Sequence, residues 1–104
     1  MIYEERIYTI KPGHTAEYIK NYEELALDIL MECIGNLVGF WHTEHGPLNQ
    51  LIHIWGFEGL DDRLERRRKL AAHPGWPAYL KVNNPLLIAQ ESKILIPSRF
   101  SPAK

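Results

Sequence analysis

Six residues of this chain have the types and spacing to do chemistry as a group: Arg6 and Tyr8, His42 and Glu44, and His53 and Trp55. Each pair is two positions apart, and in an extended strand such residues share a face. With the intervening turn centred between Pro47 and Leu48, Glu44 faces Leu51, His42 faces His53 and Phe40 faces Trp55. Two imidazoles and a carboxylate then lie together, a group able to move a proton or bind a metal near neutral pH. A slip of one residue would send the two histidines to opposite faces. Arg6 adds a clamp for an anion and Tyr8 a hydroxyl. Each residue also has a plainer reading: His53 as a hydrogen-bonded core histidine, Arg6 as the partner of Glu4 or Glu91, and Tyr8 as core. A metal site needs a third ligand, and no HxH or HxxxH spacing supplies one, so no metal is expected. His14, His45 and His73 fall in turn-forming stretches and are expected in solvent.

Other chemistries find less support. The run Arg66-Arg67-Arg68-Lys69 suggests nucleic acid, yet Asp61, Asp62 and Glu65 offset it and Arg63, Arg66, Arg67 and Lys69 spread around a helix. A solvated helix face is the expectation. The net charge of −1 also lacks the positive excess that phosphate neutralisation requires. There is no Gly-rich phosphate loop, no Ser/His/Asp order and no Cys/His pairing. The single cysteine, Cys33, rules out an internal disulfide and sits on an apolar helix face.

The elements that must hold these residues follow from local pattern. The 104 residues give room for one domain, read as 1–97 with a tail over 98–104. Residues 2–10 are rich in β-branched and aromatic types and end at Lys11-Pro12-Gly13, so they form a first strand. From Thr15 to Ile34 the period becomes helical, with Tyr18, Tyr22, Leu25, Ala26, Ile29, Leu30 and Cys33 on one face. Residues 36–44 and 50–57 form an antiparallel hairpin across a short turn. A second helix runs from Gly59 to Ala72 with Leu60, Leu64, Leu70 and Ala71 as its apolar stripe; Trp76, Tyr79 and Leu80 lie in a shorter helical piece. Residues 87–96 form the last strand, closed by Pro97. The order strand, helix, strand, strand, helix, strand predicts an α+β ferredoxin-like βαββαβ fold, a four-stranded antiparallel sheet with helices on one face.

Such a sheet has one open face, which in a self-sufficient domain would be polar. Here the hairpin strands carry large apolar side chains on both faces: Ile52 and Ile54 on one, Leu51, Trp55 and Phe57 on the other. An exposed patch of that kind marks an interaction site. Burying each aromatic favours association by several kcal/mol at ~25 cal/mol per Å². A homodimer joined sheet to sheet is therefore expected, and the pocket holding His42, His53 and Trp55 is expected on that same face.

The stretches Tyr3-Glu4-Glu5-Arg6-Ile7-Tyr8-Thr9-Ile10-Lys11-Pro12-Gly13 and Leu37-Val38-Gly39-Phe40-Trp41-His42-Thr43-Glu44-His45-Gly46-Pro47-Leu48-Asn49-Gln50, with Ile52-His53-Ile54-Trp55 after them, resemble the NIPSNAP family. Asp62-Arg63, the arginine run and Gln90-Glu91-Ser92 extend the likeness over nearly the whole chain. The Gly-Pro-Leu-Asn-Gln turn followed by His-x-Trp is its most specific part. The resemblance implies the dimeric α/β-barrel superfamily, in which two sheets close into one barrel with helices outside. That superfamily includes cofactor-independent monooxygenases and isomerases, and also haem-binding proteins. The family has no agreed catalytic set.

The function expected on this footing is binding or transformation of a small organic molecule, without a dedicated cofactor, in a pocket lined by Arg6, Tyr8, His42, Glu44, His53 and Trp55. The rival readings are a non-catalytic binding module, with the pocket filled and closed, and a haem protein. No apolar run approaches the ~20 residues of a membrane span. Met1 leads directly into strand-like sequence rather than a targeting segment, so the cytoplasm is the expected compartment.

Overall fold

The computed structural model describes residues 1–104. Its strands are β1 (Ile2–Ile10), β2 (Leu37–His42), β3 (Gln50–Phe57) and β4 (Leu87–Leu95). They form one antiparallel sheet in the order β2-β3-β1-β4. Its helices are α1 (Thr15–Asn21), α2 (Leu27–Cys33), α3 (Leu60–Ala72) and α4 (Trp76–Asn83). This is the ferredoxin-like fold, and β1 and β3 occupy the residues that the pattern predicts. No helix is long and apolar enough to cross a membrane.

A π-helical turn, Tyr22–Ala26, joins α1 to α2. The reason lies in the spacing of the buried side chains. Tyr18, Tyr22, Ala26 and Leu30 recur every fourth residue. On a regular helix of 3.6 residues per turn, such a row drifts by about 40° per step. The wider π turn takes up an extra residue and keeps the row facing the sheet. Leu25, which a strict 3.6-residue period assigns to the buried face, is 45% exposed as a result.

The core lies between the helices and one face of the sheet. Leu51, Trp55 and Phe57 of β3 and Ile10 of β1 join Tyr18, Tyr22, Leu30, Leu70 and Tyr79 in one buried cluster. Here the expected faces are corrected. Phe40, His53 and Trp55 lie beneath the helices, not on the open face. Alternation shows which residues share a face, but with both faces of β3 apolar it does not show which one the helices cover. The open face carries Tyr3, Glu5 and Ile7 of β1, Ile52 and Ile54 of β3, and Trp41 of β2, which pairs with Ile52.

The hairpin register is also corrected. Phe40 pairs with His53 and His42 with Leu51, two positions from the expected pairing. The Thr43 N–H donates to the Gln50 carbonyl at 3.0 Å, so the turn centres between Gly46 and Pro47. Gly46 (φ 87°) and Asn49 (φ 61°) both adopt left-handed conformations there. Asn is one of the few residues other than Gly that visits this region readily.

Candidate functional site

Between the sheet and the helices lies a cavity of about 270 Å³. β1 supplies Glu4, Arg6 and Tyr8 from its alternate residues, β3 supplies His53 and Trp55, and α3 supplies Arg67. Antiparallel pairing sets Arg6 opposite His53 and Glu4 opposite Trp55. The helical wall presents Tyr18, Tyr22, Trp76 and Tyr79.

Glu4 is 1% exposed, and a buried carboxylate is tolerated only when fully paired. Arg63 reaches across from α3 and binds it with two hydrogen bonds, Nε to Oε1 at 3.0 Å and Nη2 to Oε2 at 2.8 Å. Arg6 Nη1 donates to Oε2 at 2.9 Å, and the Ser92 hydroxyl donates to the same oxygen. Burial by itself would raise this carboxyl. The hydrogen bonds of Arg63 and Ser92 and the charges of Arg6 and Arg63 more than reverse that, holding it down at about 2. Glu4 is thus ionised and occupied.

Arg6 also donates from Nε to the Tyr8 hydroxyl oxygen at 2.9 Å. That leaves the Tyr8 hydrogen free to donate elsewhere.

His53 is 2% exposed. The Trp55 indole N–H donates to its Nδ1 at 2.8 Å, which assigns the ring hydrogen to Nε2. The ring stacks on Phe40 at 4.9 Å between centroids and meets Tyr8 edge-on at 4.8 Å. Burial, and then the charge of Arg6, push its pKa down to about 3, with Glu4 acting the other way and Arg67 adding to the fall. His53 is therefore a neutral N–H donor, and Nε2 is buried without a hydrogen-bond partner. It cannot take up a proton near neutral pH.

Behind the tyrosines, Asn83 is buried and holds α4 to α1. Its Nδ2 donates to the Tyr18 carbonyl and to the Tyr79 hydroxyl, both at 3.1 Å, while Asn21 donates to its Oδ1 at 3.0 Å. Burial pushes the Tyr18 and Tyr22 hydroxyls well up and the Tyr79 hydroxyl up, so all three stay neutral.

The structure brings Arg6, Tyr8, His53 and Trp55 to one cavity and leaves His42 and Glu44 outside it. His42 is exposed at the end of β2, and Glu44 is exposed in the hairpin loop. The imidazole pair is therefore not formed, and no three His, Cys, Asp or Glu side chains come together as a metal site.

The arginine run is more than a solvated face. Arg66 pairs with Asp62 at 2.8 Å and donates to the Ile34 carbonyl, and Lys69 reaches the Glu32 carbonyl. Arg63 and Arg67, one turn apart, face inward with Leu70, while Leu60 and Leu64 of the expected stripe are 63% and 47% exposed. The signal was the spacing of Arg63, Arg67 and Leu70 together with a charged Glu4 that shares a strand face with Arg6 and Tyr8. Arg67 makes no hydrogen bond or ion pair, and burial followed by the charge of Arg6 lowers its pKa.

The NIPSNAP family model matches residues 3–102. The chain is similar to the human protein NipSnap homolog 3A, at 36% identity over 96 residues that cover 90% of this chain and 38% of that protein. It is similar to Drosophila melanogaster protein NipSnap at 31%, covering 99% of this chain and 37% of that one. The chain thus spans under two-fifths of the length of these animal relatives. A crystal structure of a NIPSNAP family protein from Agrobacterium tumefaciens superposes with a TM-score of 0.96 at 45% identity, covering 99% and 98% of the two chains. A structure described as an antibiotic biosynthesis monooxygenase shares the fold, with a TM-score of 0.65 at 13% identity over 94% and 99% of the chains.

Proposed function

The chain belongs to the NIPSNAP family, and on that premise we propose that it binds a small, partly apolar organic molecule between sheet and helices and acts on it with its own side chains. The observation that carries this is the cavity itself. A domain of this size packs its interior densely, with few voids larger than a water molecule. About 270 Å³ lined by arginines, tyrosines and a neutral imidazole lies near the lower end of ligand pockets, which start at roughly 300 Å³. A non-catalytic module with its pocket filled by side chains would lack that space.

The chemistry available is stabilisation of negative charge rather than proton abstraction. Glu4 is committed to two arginines, and His53 already carries its hydrogen on the only nitrogen not bonded to Trp55. Arg6, Arg67 and the Tyr8 hydroxyl are well suited to an oxyanion. This favours a monooxygenase-like reaction, in which an already ionised bound molecule gives its electrons to dioxygen, a ring CH2 becoming C=O as one oxygen atom enters it and the other leaves as water with the two hydrogens, over an isomerase-like one that needs a protein base. A haem reading gains nothing here, because His53 Nε2 is enclosed.

The protein is proposed to work as a cytoplasmic homodimer. Val38 and Trp41, 47% and 52% exposed, and the neighbouring Ile52 and Ile54 support sheet-to-sheet assembly through the open face. Native mass spectrometry of the purified protein tests the ligand reading. A small-molecule adduct that is released on denaturation is expected. Absence of any adduct, combined with no shift of Tyr8 or His53 NMR signals in a screen of small aromatic compounds, would overturn it.

A further inference from the structure

Resting on the reading just given, we infer that the cavity selects a one-ring ligand bearing an oxyanion, a carboxylate or a phosphate, seated between Arg6 and Arg67. Charge is the first argument. Of the three guanidinium groups beside Glu4, those of Arg6 and Arg63 pair with it, and that of Arg67 lines the same cavity without a carboxylate of its own. Arg63 uses both oxygens of that carboxylate, Arg6 shares one of them, and Arg67 touches neither. Two positive charges are left over beside an interior of low dielectric, where like charges repel far more than in water. An anion placed between Arg6 and Arg67 converts that repulsion into attraction.

Hydrogen-bond inventory is the second argument and does not depend on charge. The Glu4 oxygens are occupied, His53 Nδ1 accepts from Trp55, and the Tyr8 oxygen accepts from Arg6. What these side chains still offer are N–H groups of Arg6 and Arg67, the His53 Nε2–H and the Tyr8 O–H. A wall of donors calls for a ligand rich in acceptors, and an oxyanion is the strongest of these. The opposite wall defines the remainder of the molecule. Tyr22, Trp76 and Tyr79 line it, with the Trp76 and Tyr79 rings 5.1 Å apart. Aromatic side chains in that array favour a planar ring by offset or edge contacts, and the volume admits one ring rather than several.

Benzoate, phenyl phosphate and benzamide test this, each titrated by calorimetry into the wild-type protein and into Arg67→Gln. Benzamide keeps the ring and shape of benzoate without its charge. Benzoate or phenyl phosphate is expected to bind at least ten times more tightly than benzamide, and whichever is tighter identifies the anion. Arg67→Gln is expected to remove that preference. Because Arg67 has no partner to lose, this variant is also expected to melt no lower than wild type, which separates a lost ligand contact from a damaged fold. Equal affinity for benzoate and benzamide would overturn the inference while leaving a neutral-ligand pocket standing. So would an anion preference that survives Arg67→Gln. Failure of all three probes to bind would also overturn it, and the adduct measurement then judges the cavity separately.

Discussion

His53 is held between the Trp55 indole and the Phe40 ring in a form that refuses a proton, and this sets how the protein responds to acid. Its pKa is near 3 when folded and 6.5 when solvated. Below about pH 6.5 the unfolded chain therefore binds a proton that the native state does not. Stability falls as pH drops through this window, by up to ~1.4 kcal/mol per pH unit, and His53 has no effect above it. Glu4 acts in the same direction at lower pH, because its stabilising contribution is complete above 4.5 and is lost as pH falls toward 2. Urea unfolding near pH 7 and near pH 5.5 should show the loss, and His53→Phe should flatten most of that slope. Glu4→Gln leaves Arg6 and Arg63 without their shared carboxylate. Breaking a buried pair in this way is expected to destabilise the protein by about 3 kcal/mol, read as a lowered denaturant midpoint. At this scale the sequence was partly readable. Two-residue spacing assembles Arg6 with Tyr8 and His53 with Trp55, but nothing local reveals that Arg67, in a run of charges, turns inward.

The π turn between α1 and α2 is what allows Tyr18 and Leu30 to line the same wall. Inserting one alanine after Glu24, a second extra residue beyond the one the π turn already takes up, should rotate α2 by about 100°. Leu30 and Cys33 would then leave the core, and a loss of several kcal/mol, with collapse of the dispersed tyrosine and indole NMR signals, is expected. A 3.6-residue period drawn through Tyr18, Tyr22 and Leu25 describes this segment as one plain helix, because periodicity alone cannot register one extra residue. The strands show the same limit. The limits of β1 and β3 were legible from Pro12-Gly13 and from the β-branched runs. The β2–β3 register was not, since Gly46 and Asn49 each permit a left-handed backbone and their types do not show where between them the turn is centred. The error was two positions, so the sharing of faces survived while the His42–His53 contact did not.

Across the whole molecule, the sheet separates the cavity from the face proposed for dimerisation. Arg6, Tyr8, His53 and Trp55 look toward the helices, and Ile52, Ile54 and Trp41 look away from them. The proposed sheet-to-sheet homodimer therefore predicts that Ile54→Glu gives a monomer in sedimentation experiments where the wild type gives a dimer, while the His53 and Tyr8 signals stay in place. A variant that loses both together would contradict this separation. Which face the helices cover was not legible, because β3 is apolar on both. In β1 the division goes down to single positions: Glu4, Arg6 and Tyr8 serve the cavity, and Tyr3, Glu5 and Ile7 serve the open face. The strand thus has a reading frame of two. One residue gained or lost in its middle would exchange the two vocabularies along everything that follows, presenting arginine on the open face and isoleucine to the cavity. The open-face letters of this strand can vary more readily than Glu4, Arg6 and Tyr8, but its length should change only in steps of two.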